Sequence, residues 1–229
     1  MNARDTSSSF ELPAQRAHFY GGAWHAPQSG AMLDVENPAT GESLGQVPNG
    51  DAADVDRAVA AAAAAFPAWR DTPAQRRAQC LREAAAVLRQ HRDELAWLDA
   101  QDTGNPLTAM RYDIDISVGY MELFAGLVTE IKGATIPIAG NVLNYTLREP
   151  LGVVARIGAF NHPLLFVAGK CGAPLAAGNT LVIKPADQTP LSALRIAQLW
   201  EGIFPPGVFN VVTGGRDAGG QDAGEPRVP

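Results

Sequence analysis

The stretch LGVVARIGAFNHPLLFVAGKCGAPLAAGNTLVIK, residues 151–184, decides the fold. It opens on LGVVARI (151–157), a continuous apolar run of the kind a strand buried in a parallel sheet needs. It turns polar at Asn161 and His162, and from Pro163 a helical segment runs to Gly178. A second apolar run, TLVIK (180–184), follows. The alternation then repeats. Thr189 and Pro190 suit the N-cap and first turn of another helix, which closes near Gly202, and VFNVVTG (208–214) reads as a third strand. Two consecutive crossovers of this length predict parallel strands with right-handed connections.

That order already says where a ligand would sit. Open parallel sheets bind ligands beyond the carboxyl ends of their strands. At those ends lie Asn161–His162, then Lys184 to Asp187, then Thr213 to Gly215. One edge thus gathers an amide, a cation, a carboxylate and glycines, and helix N-termini exposed there favour an anionic or polar ligand. No GxGxxG fingerprint is present.

Upstream, the period is helical. Val55, Val59, Ala62 and Phe66 share one face, so the alanine run at 60–65 reads as a close-packed helix. Thr72–Gln75 has capping-box spacing with Pro73 at the first helical position. The helix after it turns Leu81, Ala84 and Leu88 inward. A third covers about 91–102 and stops at Gly104 before Pro106, and a fourth covers about 107–130. In VLNYTLR (142–148), Leu143, Tyr145 and Leu147 alternate with polar residues, which predicts a half-exposed antiparallel strand. Residues 18–50 suggest short strands and turns, and residues 1–17 a flexible arm.

Composition narrows the class. The chain has 229 residues, 46% hydrophobic and 18% charged, with a net charge of −6, which argues against nucleic-acid or anionic-membrane partners. No apolar run reaches the roughly 18 residues a membrane span needs, and the polar N-terminus lacks the apolar core of a secretory signal. Two cysteines, Cys80 and Cys171, do not build a disulfide framework, so a reducing, cytoplasmic setting is expected. The four histidines show no metal-ligand spacing.

Residues 149–215 carry several long motifs in register: Asn-x-Pro after the first strand, Ala-x-Gly-Asn before the second, Lys-Pro-Ala-acid-x-Thr-Pro, and Pro-Pro-Gly-Val-x-Asn-Val-Val. Upstream stand NPATGE, the alanine-rich helix with Phe66 and Trp69, and DTGNP. Together these resemble the NAD(P)-dependent aldehyde dehydrogenase superfamily, over about residues 18–229. The resemblance implies an α/β fold: a partial Rossmann-like parallel sheet of three βαβ-linked strands, preceded by a mostly helical region. The domain reading is then a flexible arm (1–17), a helical part of the cofactor domain (18–139), an oligomerisation-type strand (140–150), and a Rossmann-like NAD(P)-binding segment (151–229). A sheet of three strands also predicts an open edge and an uncovered apolar face.

By the same resemblance, Asn161 matches the asparagine whose amide donates to the oxyanion formed when a thiolate adds to an aldehyde; asparagine also suits a helix cap or turn. Lys184 and Asp187 match the pair that binds the adenosine ribose hydroxyls, with a surface ion pair as the plainer alternative. The family often has Glu at the position of Asp187, and the shorter acid leaves both NAD and NADP open. Ile157 and Phe160 fall where the family lines the cofactor cleft, or are core. Gly215 and Gly219 match glycines near the adenine, or serve turns. The family's general-base glutamate and nucleophilic cysteine come later than Pro229, so the resemblance is to an N-terminal half, inactive alone. The alternative is a non-catalytic nucleotide-binding or interaction module. Its partners would be an aldehyde and a second subunit, either a copy of itself or a full-length relative. His162 reads as a turn or capping residue, and Cys171, inside a helical segment, is not expected to be a nucleophile.

Overall fold

A computed structural model describes residues 10–215 and 218. Its order is β1 (His18–Tyr20), β2 (Ala23–His25), β3 (Met32–Glu36), β4 (Ser43–Pro48), α1 (Ala52–Arg70), α2 (Ala74–Gln90), α3 (Arg92–Thr103), α4 (Leu107–Leu127), β5 (Thr135–Ile136), β6 (Asn144–Tyr145), β7 (Val153–Ile157), α5 (Gly172–Ala176), β8 (Thr180–Lys184), α6 (Leu191–Leu199) and β9 (Phe209–Val211). The expected strand–helix–strand–helix–strand order is therefore present. β7 pairs with β8, and β8 with β9, all parallel.

The sheet is larger than expected. Its order is β2-β1-β9-β8-β7. The β1–β2 hairpin returns to lie antiparallel against β9, with Phe19 opposite Val211, and so covers the edge expected to be open on that side. The remaining edge belongs to β7. Its sequence reads as a buried run, yet at the edge only Val153 is fully buried and Ile157 is 50% exposed. β8, in the interior, is buried throughout.

Several local expectations change. α2 begins without a side-chain cap. Thr72 Oγ donates instead to Ala68 O at 2.8 Å, so the Thr72–Gln75 spacing does not form a capping box. α1 does have one, made by Asp51 and Asp54. Phe66 is only half-buried, and Trp69 takes the core position one turn on. The helix expected from Pro163 to Gly178 is broken into a π-turn at Leu165–Gly169 and the short α5. The fourth helix ends at Leu127, short of 130. Residues 10–17, expected as part of a loose arm, are tied down: the Phe10 ring lies 6.1 Å from that of Trp97, and Arg16 donates to Leu44 O. The expected strand 142–148 pairs only at Asn144–Tyr145, and Leu143, Tyr145 and Leu147 are 75%, 57% and 70% exposed rather than turned inward. A two-stranded ribbon alone has no second layer to bury a face against.

Candidate functional site

The carboxyl edge of the parallel strands is built by tying consecutive loops to one another. Gly158 N–H donates to Lys184 O at 2.8 Å, joining the turn after β7 to the end of β8. A Cβ at Gly158 would lie 3.5 Å from Pro185 Cα, so the two backbones run close. Ile157 and Phe160 are 50% and 62% exposed on this edge. Neither is part of the core of this chain.

The segment around Asn161 is held from several directions. Asn105 Nδ2, in the α3–α4 turn, donates to Asn161 O at 2.8 Å. Thr189 Oγ donates to Phe160 O at 3.3 Å, and Arg156 Nε to Phe166 O at 3.0 Å. The buried Asp113 carboxylate on α4 lies 2.7 Å from His162 Nδ1, so His162 does have an acid partner, although the sequence placed none. Asn161 itself is exposed. Its backbone carbonyl is held by Asn105.

Both helices that leave this edge are capped from outside their own segments. Asp99 Oδ2 accepts from Leu164 N–H at 3.1 Å, and Asp102 Oδ2 from Leu191 N–H at 3.0 Å. The cap expected from Thr189 is therefore supplied by α3. Both carboxylates are buried, and burial pushes Asp99 up to about 7 and Asp102 well above the usual carboxylate range. These supports were missed because local rules seek a cap just before each helix. A signal was present: Leu95, Asp99 and Asp102 follow the i, i+4, i+7 spacing of one helix face, and Met110, Asp113 and Ser117 on α4 follow i, i+3, i+7.

Lys184, at the end of β8, is 6% exposed, and its Nζ donates to Pro185 O at 3.0 Å. Asp187, three residues on, is half-buried. Gly215 follows β9, and its N–H donates to Asn49 Oδ1 at 3.1 Å. Gly219 lies outside the described residues.

Neither cysteine is set up as a nucleophile. Cys171 is fully buried, its thiol donates to Val167 O at 2.6 Å, and burial pushes it up to about 12. Cys80 is also buried and its thiol is likewise raised by burial. A thiolate is the reactive form, so both are packing residues. On α4, Met121 is core and Tyr112 is 65% exposed. Among the described residues, no cluster of side chains is arranged to hold a metal, and no helix is long and apolar enough to cross a membrane.

This architecture has close counterparts. The chain is 42% identical over 211 residues to aldehyde dehydrogenase tropH of Talaromyces stipitatus, covering 91% of this chain and 41% of that protein. An NAD⁺ complex of aldehyde dehydrogenase from Bacillus cereus superposes with a TM-score of 0.91 at 37% identity, over 100% of this chain and 47% of that one. An E. coli NADP-dependent enzyme superposes with a TM-score of 0.90 at 38% identity, over 93% and 45%. The chain thus spans less than half the length of these relatives. Residues 24–229 match the aldehyde dehydrogenase family, and the chain belongs to it.

Proposed function

We propose that this chain forms the adenosine side of an NAD(P) site and one arm of an oxyanion hole for aldehyde oxidation. The observation that supports this reading is the shared edge of one parallel sheet, whose strand ends and following turns carry Asn161, Lys184, Asp187 and the exposed Ile157 and Phe160. The residues suit the cofactor. An ammonium and a carboxylate three residues apart match a vicinal diol, one donating and one accepting. Two apolar side chains left outside the core offer faces for a ring. When bound, NAD(P)⁺ accepts the hydride released from an aldehyde carbon. Asn161 would act on the aldehyde oxygen: charge develops there as a nucleophile adds to the carbonyl, and a preorganised amide donor lowers the barrier. The Asn105 bond to Asn161 O fixes the backbone that carries that amide.

Calorimetric titration with NAD⁺ and NADP⁺ tests the reading. Lys184→Ala is expected to weaken the better ligand about 10- to 100-fold, the usual worth of a charge-assisted hydrogen bond. The ratio of the two affinities reports whether the shorter acid Asp187 admits a 2′-phosphate. No saturable binding of either dinucleotide at millimolar concentration would sink the proposal. Because both thiols are buried and protonated, the purified chain is expected to show no aldehyde oxidation; turnover abolished by Cys171→Ser would contradict that.

One observation favours an added role in assembly. Between residues 131 and 151, Ile131, Ile138, Val142, Leu143, Leu147 and Leu151 are all more than 40% exposed. Such a patch marks an interaction surface, and we assign it to subunit pairing in the cytoplasm, where free cysteines persist. Sedimentation should show self-association that Leu143→Asp weakens; an unchanged monomer in both would remove this role.

A further inference from the structure

We propose that His18, as a neutral imidazole, is a positioning residue that latches the turn after β9, and that its protonation releases this turn and weakens dinucleotide binding. The proposal rests on the cofactor reading above, but its geometry stands apart from Lys184. His18 begins β1 and is fully buried, as is Asp54 on α1. Its Nδ1 lies 3.2 Å from Thr213 N, which donates. A backbone N–H has only a proton to offer, so Nδ1 must carry the lone pair and Nε2 the hydrogen. Thr213 Oγ, 3.4 Å from Nδ1, donates its own proton to Pro48 O at 2.7 Å. Nε2 faces Asp54 Oδ2 at 3.5 Å.

The latch closes on a tight junction. Gly50 N–H donates to Thr213 O at 3.0 Å, and Gly215 N–H donates to Asn49 Oδ1 at 3.1 Å. A Cβ at Gly50 would sit 2.6 Å from Thr213 O and 2.9 Å from His18 Cε1. The turn 213–215 is thus clamped between His18 and the β4–α1 loop, with no slack to absorb a repulsion. A second proton on the ring would place an Nδ1–H against the Thr213 N–H, donor against donor.

Charges around the ring oppose one another. Asp54 and Asp51, at the start of α1, favour the imidazolium; His25 on β2 and burial disfavour it, and burial is the largest influence, so His18 titrates below the ordinary imidazole range. The sign follows. The neutral latch holds near neutral pH, and release lies on the acid side of about 6.5.

Two measurements test this. In ¹⁵N spectra at neutral pH, the His18 ring should show an unprotonated Nδ1 and a protonated Nε2; an imidazolium, or the proton on Nδ1, would overturn the latch without reference to any ligand. In NAD⁺ titrations, wild-type affinity should fall about three- to tenfold between about pH 7.5 and pH 5, the worth of one hydrogen bond. His18→Asn places an oxygen acceptor at the same branch position and should bind with no such dependence. Equal acid loss in wild type and His18→Asn, with both folded by circular dichroism, would overturn the proposal. If His18→Asn does not fold, the ring spectra alone decide. If wild type binds no NAD⁺ at all, the cofactor reading fails, and the ring spectra still decide the latch.

Discussion

Replacing Trp200 with alanine is expected to lower the unfolding free energy by about 3–5 kcal/mol. Trp200 caps the C-terminal end of α6 and is 2% exposed. Its ring meets Phe204 edge-on at 5.6 Å and Phe209 at 5.0 Å, and Phe204 in turn meets Trp69 of α1 at 6.1 Å. Its indole N–H donates to Ala84 O on α2 at 3.3 Å. One side chain therefore joins the second crossover helix, the third parallel strand and two helices of the first half. Truncation would remove the buried ring and leave a cavity that rings held from several elements cannot close. Against a typical domain stability of about 5–15 kcal/mol, that loss would unfold a large part of the population at mild denaturant. Trp200→Phe keeps an aromatic face and should cost less, the hydrogen bond contributing about 1 kcal/mol. Denaturant midpoints at unchanged slope measure both. A loss under about 1 kcal/mol for the alanine variant would show that the ring cluster does not couple the two halves.

The parallel strands and their crossovers were legible because each announces itself over a few residues. β8 and β9 are apolar runs, and Gly202 has the positive φ expected of a helix-terminating glycine. The β1–β2 hairpin was legible as short strands and a turn but neither as a pair nor as part of this sheet, since Phe19 and Val211 pair across a separation that leaves no local trace. β7 misled for a related reason. Composition reports the burial a strand is suited to, and at this edge the strand is left half-exposed. At the site, Asn161 could be placed from the topology, while its supports could not. Asn105, Asp99 and Asp113 reach it from other elements, and polar residues in a helix read as solvent-facing unless their spacing is checked against the buried face.

The second large effect concerns one of those supports. Wild-type stability is expected to fall by about 2.6 kcal/mol as pH rises from about 5 to 8 through the titration of Asp99, and Asp99→Asn should lose that dependence. The carboxyl is fully buried and titrates near 7, against an ordinary value of 3.8. Between those values the folded chain keeps a proton that the unfolded chain has released. Stability from this group is complete at low pH and is lost as pH climbs through about 7. Asp102, also raised by burial, acts in the same direction. His18 acts oppositely, because its lowered value makes stability fall as pH drops below the ordinary imidazole range. The two carboxyls therefore oppose on the alkaline side what the imidazole opposes on the acid side. The amide of Asp99→Asn can still accept from Leu164 N–H and carries no charge. It also brings a donor into a place where Asp99 Oδ1 and Ser192 Oγ are buried without a hydrogen-bond partner. Above about pH 7 the variant should therefore be the more stable protein. Denaturant unfolding at several pH values measures the difference. Parallel curves for wild type and Asp99→Asn would mean that Asp99 is ionised in its cap, with the helix N-terminus it serves outweighing the cost of burying its charge.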